Sequence, residues 1–115
     1  MMESVILKNL ATNEQYVRKV HPFLKEEYFS NNVNKKIFTL VSEFITKYNS
    51  LPTREALDIS LGKLDLVSED EFSECSKCVE ALYSNPEQTD LTWLIEQTEN
   101  HVKDKAVYNA IMDSI

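Results

Sequence analysis

Between Val33 and Tyr48 runs one uninterrupted amphipathic pattern, and no other stretch constrains the fold as much. At about 100° per residue, Leu40, Val33, Phe44, Ile37, Tyr48, Val41, Ile45 and Phe38 fall on a single apolar arc roughly 160° wide. Lys36, Thr39, Ser42, Glu43, Thr46 and Lys47 fill the rest of the circumference. One neighbouring helix cannot cover so broad an arc, so this helix is expected at the centre of the molecule, packed on two sides. Ser30, Asn31 or Asn32 can cap its start by accepting a bond from a free first-turn amide. Asn49-Ser50-Leu51-Pro52 stops it, because proline disfavours the helical conformation of the residue before it.

Other segments carry the same period. Ile6, Leu7 and Leu10 form the apolar patch of a first helix, and Tyr16, Val17 and Val20 that of a second, which Pro22 ends. Thr53 can cap a helix containing Ala56, Leu57, Ser60 and Leu61, with Gly62 at its C-terminal turn. Leu64 and Leu66 are expected to cover the bundle on the way to Ser68, where Ser68-x-x-Glu71 opens a further helix as a capping box. That helix is expected to bury Phe72, Cys75, Val79, Leu82 and Tyr83, with Cys78 at the border. At 115 residues the chain suits one domain, residues 1–115, and the fold class is all-α, a compact helical bundle of about six helices. Its single glycine leaves no way to write a Walker A or dinucleotide-binding loop.

The order of these pieces carries a resemblance. A short helix over Glu3 to Leu10 and a second around Tyr16 to Val20 precede the acidic-aromatic step Leu24-Lys25-Glu26-Glu27-Tyr28-Phe29. The long helix and Pro52-Thr53-Arg54-Glu55-Ala56-Leu57 follow. This resembles the N-terminal domain of DnaB-type replicative helicases, above all those of T-even phages. The similarity extends through Trp93-Leu94-Ile95 to Val107-Tyr108-Asn109-Ala110, nearly the whole chain. It implies a piece of a longer helicase without the NTP-hydrolysing motor, so that this chain by itself is not an enzyme. ATP and magnesium are implied for that absent motor, and no cofactor for the chain itself. The implied partners are other copies, in a dimer-based hexamer, and primase, with DNA met only through the full ring. The last helix would lead toward a helical hairpin that pairs subunits.

A net charge of −7 argues against a tight grip on nucleic acid, whose non-specific affinity comes mainly from Lys and Arg on phosphates. The basic pairs Arg18-Lys19 and Lys35-Lys36 read as solvated helix faces, and protein partners are favoured. Asp65, Glu69, Asp70, Glu71 and Glu74 crowd a helix start, where negative charge complements the helix dipole; a partner-facing acidic patch is the alternative. With no signal peptide or membrane-spanning run, the expected location is cytoplasmic, away from membranes.

Cys75 and Cys78 invite a zinc reading, with His21 and His101 completing four ligands. Structural zinc sites place their thiolates on turns, whereas these lie inside a helical pattern beside two unpaired histidines, so core-packed thiols and no metal are expected. No catalytic constellation emerges. His21 and His101 lack triad partners, Glu26 and Glu27 diverge on a helix, and Glu96 and Glu99 read as a hydrated surface.

The last helix is expected to begin near Asp90 or Thr92 and to run to the chain's end. With Leu91 at zero, Leu94, Ile95, Thr98, Val102 and Ala106 stay within about 60° and should face the core. Val107, Ile111 and Ile115 then fall at about 160°, 200° and 240°, with Tyr108 beside them. A straight helix cannot bury both faces against one small globule. The candidate partner-binding residues are therefore Val107, Tyr108, Ile111 and Ile115, with Trp93 as a further anchor; a frayed end is the bland alternative. No Gly, Pro or Asn cap follows Ile111, as expected of a piece cut from something longer. Burying the four tail side chains would contribute roughly 6 to 10 kcal/mol before rotational and ordering costs consume most of it, so association of this piece should be weak.

Together these features point to the N-terminal domain of a phage replicative helicase, serving ring assembly and primase docking. The alternative is a stand-alone acidic helical adaptor or inhibitor that binds a host protein.

Overall fold

The computed structural model describes residues 2–64, 68–84 and 89–114. Six α-helices and two short 3-10 turns make up the described part. They are α1 (Met2–Thr12), α2 (Glu14–Val20), 3-10 turns over His21–Phe23 and Glu26–Tyr28, α3 (Asn32–Tyr48), α4 (Arg54–Gly62), α5 (Glu69–Ser84) and α6 (Leu91–Asp113).

Helix α3 is central, against α1, α4 and α5, which is the multi-sided packing its broad arc demands. Asn31 caps it, its side chain accepting from the amides of Val33 at 2.8 Å and Asn34 at 3.2 Å. At the other end Asn49 takes the left-handed conformation, φ 51°, and returns its amide to the Ile45 carbonyl. Asparagine tolerates that conformation better than most side chains. Gly62 supplies no such turn: it is the last residue of α4 and has no positive φ.

The core joins Ile6, Leu7 and Leu10 of α1 to Ile37, Phe38 and Val41 of α3, Leu57 and Leu61 of α4, and Cys75, Val79 and Leu82 of α5. Phe29, on the step before α3, stacks on Phe38 with ring centroids 4.8 Å apart. Thr53 caps α4, and Ser68 accepts the Glu71 amide at 3.2 Å, the forward half of the expected capping box. Lys36 of α3 pairs with Glu71 and ties the start of α5 to the start of α3.

Four apolar expectations need correction. Tyr48, placed on the buried arc, is 56% exposed and leans on Phe44, at the end of α3 where residues 46–50 are all exposed. Phe72 lies in phase with Val79 yet is exposed, whereas its neighbour Glu71 is the first-turn residue of α5 that meets α3, through Lys36. Leu64 is exposed rather than covering the bundle, and Ala106 is exposed rather than inward. Leu66 and Asp65 lie outside the described residues. For Tyr48, Phe72 and Ala106 a helical wheel gives the phase of a side chain but not whether a neighbour reaches it.

Candidate partner-binding face

Helix α6 is laid down from its first turn. The Asp90 carboxylate accepts the Trp93 amide at 3.0 Å and satisfies one of the free first-turn donors. Leu94 and Thr98 are then buried against α2. The Thr98 hydroxyl donates to the Leu94 carbonyl at 2.7 Å, so the Tyr16 hydroxyl, 2.5 Å away, is the donor in the Tyr16–Thr98 bond. Burial pushes the Tyr16 hydroxyl up to about 12, against the opposing effect of the Thr98 bond, and keeps it protonated for that role. This polar pair adds a directional contact to the apolar packing of α6 on α2.

From His101 onward the side chains that meet the rest of the molecule through hydrogen bonds are polar. His101 Nε2 donates to the Tyr28 carbonyl at 2.9 Å, the Lys105 ammonium donates to the Ser30 hydroxyl, and Asn109 Nδ2 donates to the Glu27 carbonyl at 3.0 Å. Spaced by four residues, these three side chains form a ladder onto the acidic-aromatic step. The step itself is held from the other side: Glu3 of α1 accepts the Ser30 amide at 2.9 Å and the Asn34 side chain at 3.1 Å. Burial works to raise the Glu3 carboxyl, but the bonds from Ser30, Asn34 and Asn31 together with nearby His101 outweigh it and leave its pKa lowered.

With that stripe turned inward, the apolar side chains of the distal half are left exposed, from Val107 and Ile111, which point away from the ladder, round to Tyr108 and Met112 beside it. Val107 is 61% exposed, Tyr108 57%, Ile111 56% and Met112 51%. Met112 escaped the sequence reading, although it follows Tyr108 by four residues and so shares its side of the helix. The Lys105 ammonium sits 5.6 Å from the Tyr108 ring centroid. Trp93 is also exposed, at an angle close to that of Ile111, but it precedes Val107 by about 21 Å along the axis. Asn100 and Asp104, both exposed, occupy that side between them. Val107, Tyr108 and Ile111 therefore come together, and Trp93 stands apart. Ile115 lies outside the described residues.

The other candidates stay separate. Cys75 is fully buried and Cys78 half-buried, and both are free thiols whose pKa burial raises. His21 Nε2 lies 2.9 Å from the Ser42 hydroxyl, while His101 is bonded to the step, so neither approaches the cysteines as a ligand. Among the described residues no cluster of His, Cys, Asp and Glu is arranged to hold a metal ion. Glu96 and Glu99 point to solvent. Two shallow clefts flank the bundle: one of about 160 Å³ between α1 and α5, lined by Val5, Lys8, Cys78 and Leu82, and one of about 250 Å³ between α2 and the end of α3. No described helix is long and apolar enough to cross a membrane.

No protein-family profile matches the chain. It is 32% identical over 109 residues to a DnaB-like replicative helicase of Enterobacteria phage T4, an alignment that takes in 95% of this chain. The chain spans 22% of that helicase's length. Along nearly its whole length, then, this chain is homologous to one part of a phage DnaB-like replicative helicase.

Proposed function

We propose that the chain is the N-terminal, organising domain of a phage replicative helicase, and that its exposed α6 face joins subunits of the ring. The observation that carries this reading is the unpartnered cluster Val107, Tyr108, Ile111 and Met112 on a helix rotated outward by hydrogen bonds. Aromatic and methionine side chains of this kind are enriched where proteins meet. Similarity to part of a helicase supplies the context, and the charge of −7 favours protein partners over phosphate. In this reading primase docks on the assembled collar, DNA passes through the full ring, and ATP and magnesium serve a motor on another part of the polypeptide. The site of action is the host cell interior.

The test is light scattering of the 115-residue chain across a concentration series, with Ile111→Asp and with residues after Ala106 removed. Concentration-dependent association that both changes abolish is the expected outcome. Association that survives them would defeat the assignment of this face. Titration with the cognate primase addresses docking: no binding at high micromolar concentration counts against a primary contact within one subunit. A reading frame that continues past Ile115 into a Walker A motif supports the helicase reading, and one that stops there favours a separate adaptor.

A further inference from the structure

From Lys103 to Ser114, only Lys105 and Asn109 have partly buried side chains, and both belong to the ladder onto the step. The distal half of α6 therefore buries no apolar side chain in this chain. Short helices in water are marginal without an apolar face packed on something, so what holds this half in place must be sought in its polar contacts. We infer that the distal half of α6 is a latched arm, held folded and aimed by Lys105 on the Ser30 hydroxyl and Asn109 on the Glu27 carbonyl, and releasable without unfolding the bundle.

Three features support this. The anchored half ends at His101, whose bond to the Tyr28 carbonyl is the last one made by a side chain beside a half-buried apolar neighbour, Val102. Past it, each tether is a single bond to an exposed rim, accessible to competing water. The receiving segment is itself positioned from a third element, because Glu3 holds the Ser30 amide and the Asn34 side chain. The arm is thus aimed by a short relay from α1 through the step to α6. If the α6 face joins subunits, as proposed above, the latch sets the angle at which that face is offered; the latch itself does not depend on that reading.

Hydrogen exchange on the 115-residue chain tests it, with Lys105→Ala and Asn109→Ala combined and, from the other side of the contact, Ser30→Ala. Alanine is the best helix former, so without a latch the double change would leave exchange unchanged or slower. With a latch, amides of residues 105–113 exchange faster by about 5- to 10-fold in the double variant and by less in Ser30→Ala, while those of 94–101 keep their protection. Unchanged exchange in 105–113, or equal acceleration of both halves, overturns the inference. Measuring at two protein concentrations separates the two proposals: protection by a second copy grows with concentration, and protection by the latch does not.

Discussion

Among the described residues, helices α3 and α6 are the longest, at 17 and 23 residues, and they put their length to opposite uses. The shorter one buries Ile37, Phe38, Leu40 and Val41 and touches α1, α4 and α5. The longer one fully buries only Leu94 and Thr98 and leaves its second half on the surface. Both contain many apolar residues. What separates them is phase: α3 keeps its apolar side chains on one arc, whereas α6 moves them to the opposite side after Ala106. A helix becomes central when one face stays apolar throughout, and a peripheral strut with a free end when the face changes midway.

The sharpest way to break that comparison is truncation of matched isoleucines. Ile37→Ala leaves a cavity in the packed centre and should lower stability by about 2–5 kcal/mol in urea unfolding. Ile111→Ala should change it by no more than about 0.5 kcal/mol. Similar losses at the two positions would mean that the distal half of α6 is part of the core after all. A smaller effect probes how α6 is fastened. Tyr16→Phe removes the donor to Thr98 while Thr98 keeps its own bond to Leu94, so the cost should be about 1 kcal/mol. No loss would show that apolar contacts alone register the helix.

The smallest effect is acid sensitivity of the step on which α6 rests. Glu3 has a folded pKa below its ordinary 4.5, so its contribution to stability is complete above that value and is lost as pH falls through the lowered one. His21, lowered from 6.5 by burial, acts in the same direction at higher pH: its contribution is present above 6.5 and lost as pH falls through its folded value. Glu3→Gln should therefore flatten only the lower limb of a plot of unfolding midpoint against pH. A plot unchanged below the ordinary carboxylate range would remove Glu3 from the support of the step.

Much of the fold was legible in the chain because helical period and caps are local properties. The arc from Val33 to Tyr48, the caps at Thr53 and Ser68, and the reversal of apolar phase after Ala106 all follow from side-chain spacing. Phe72 and Tyr48 share one reason: each sits in the expected phase near a helix end, where phase does not say whether a neighbour reaches the side chain. The ladder His101, Lys105 and Asn109 was missed for a different one. Its spacing of four was visible, but polar side chains at that spacing ordinarily mark a solvated face, and nothing local reveals that carbonyls of a distant segment lie within reach. Met112 carries a weaker local signal, because it lies four residues past Tyr108 at the edge of the arc that Val107 and Ile111 define.

The amino-acid sequence by itself determined that this protein is helical, where most of its helices start and stop, and that its last helix presents apolar side chains on two faces. Those outcomes depend on backbone preferences and on interactions within a few residues. Which of the two faces turns inward was expected from the sequence, and only the tertiary structure supplied the long-range contacts behind that choice. That choice rests on Tyr16 meeting Thr98 and on the step from Glu27 to Ser30 receiving His101, Lys105 and Asn109. These are pairings between residues far apart in the chain, and they exist only once the intervening helices have packed.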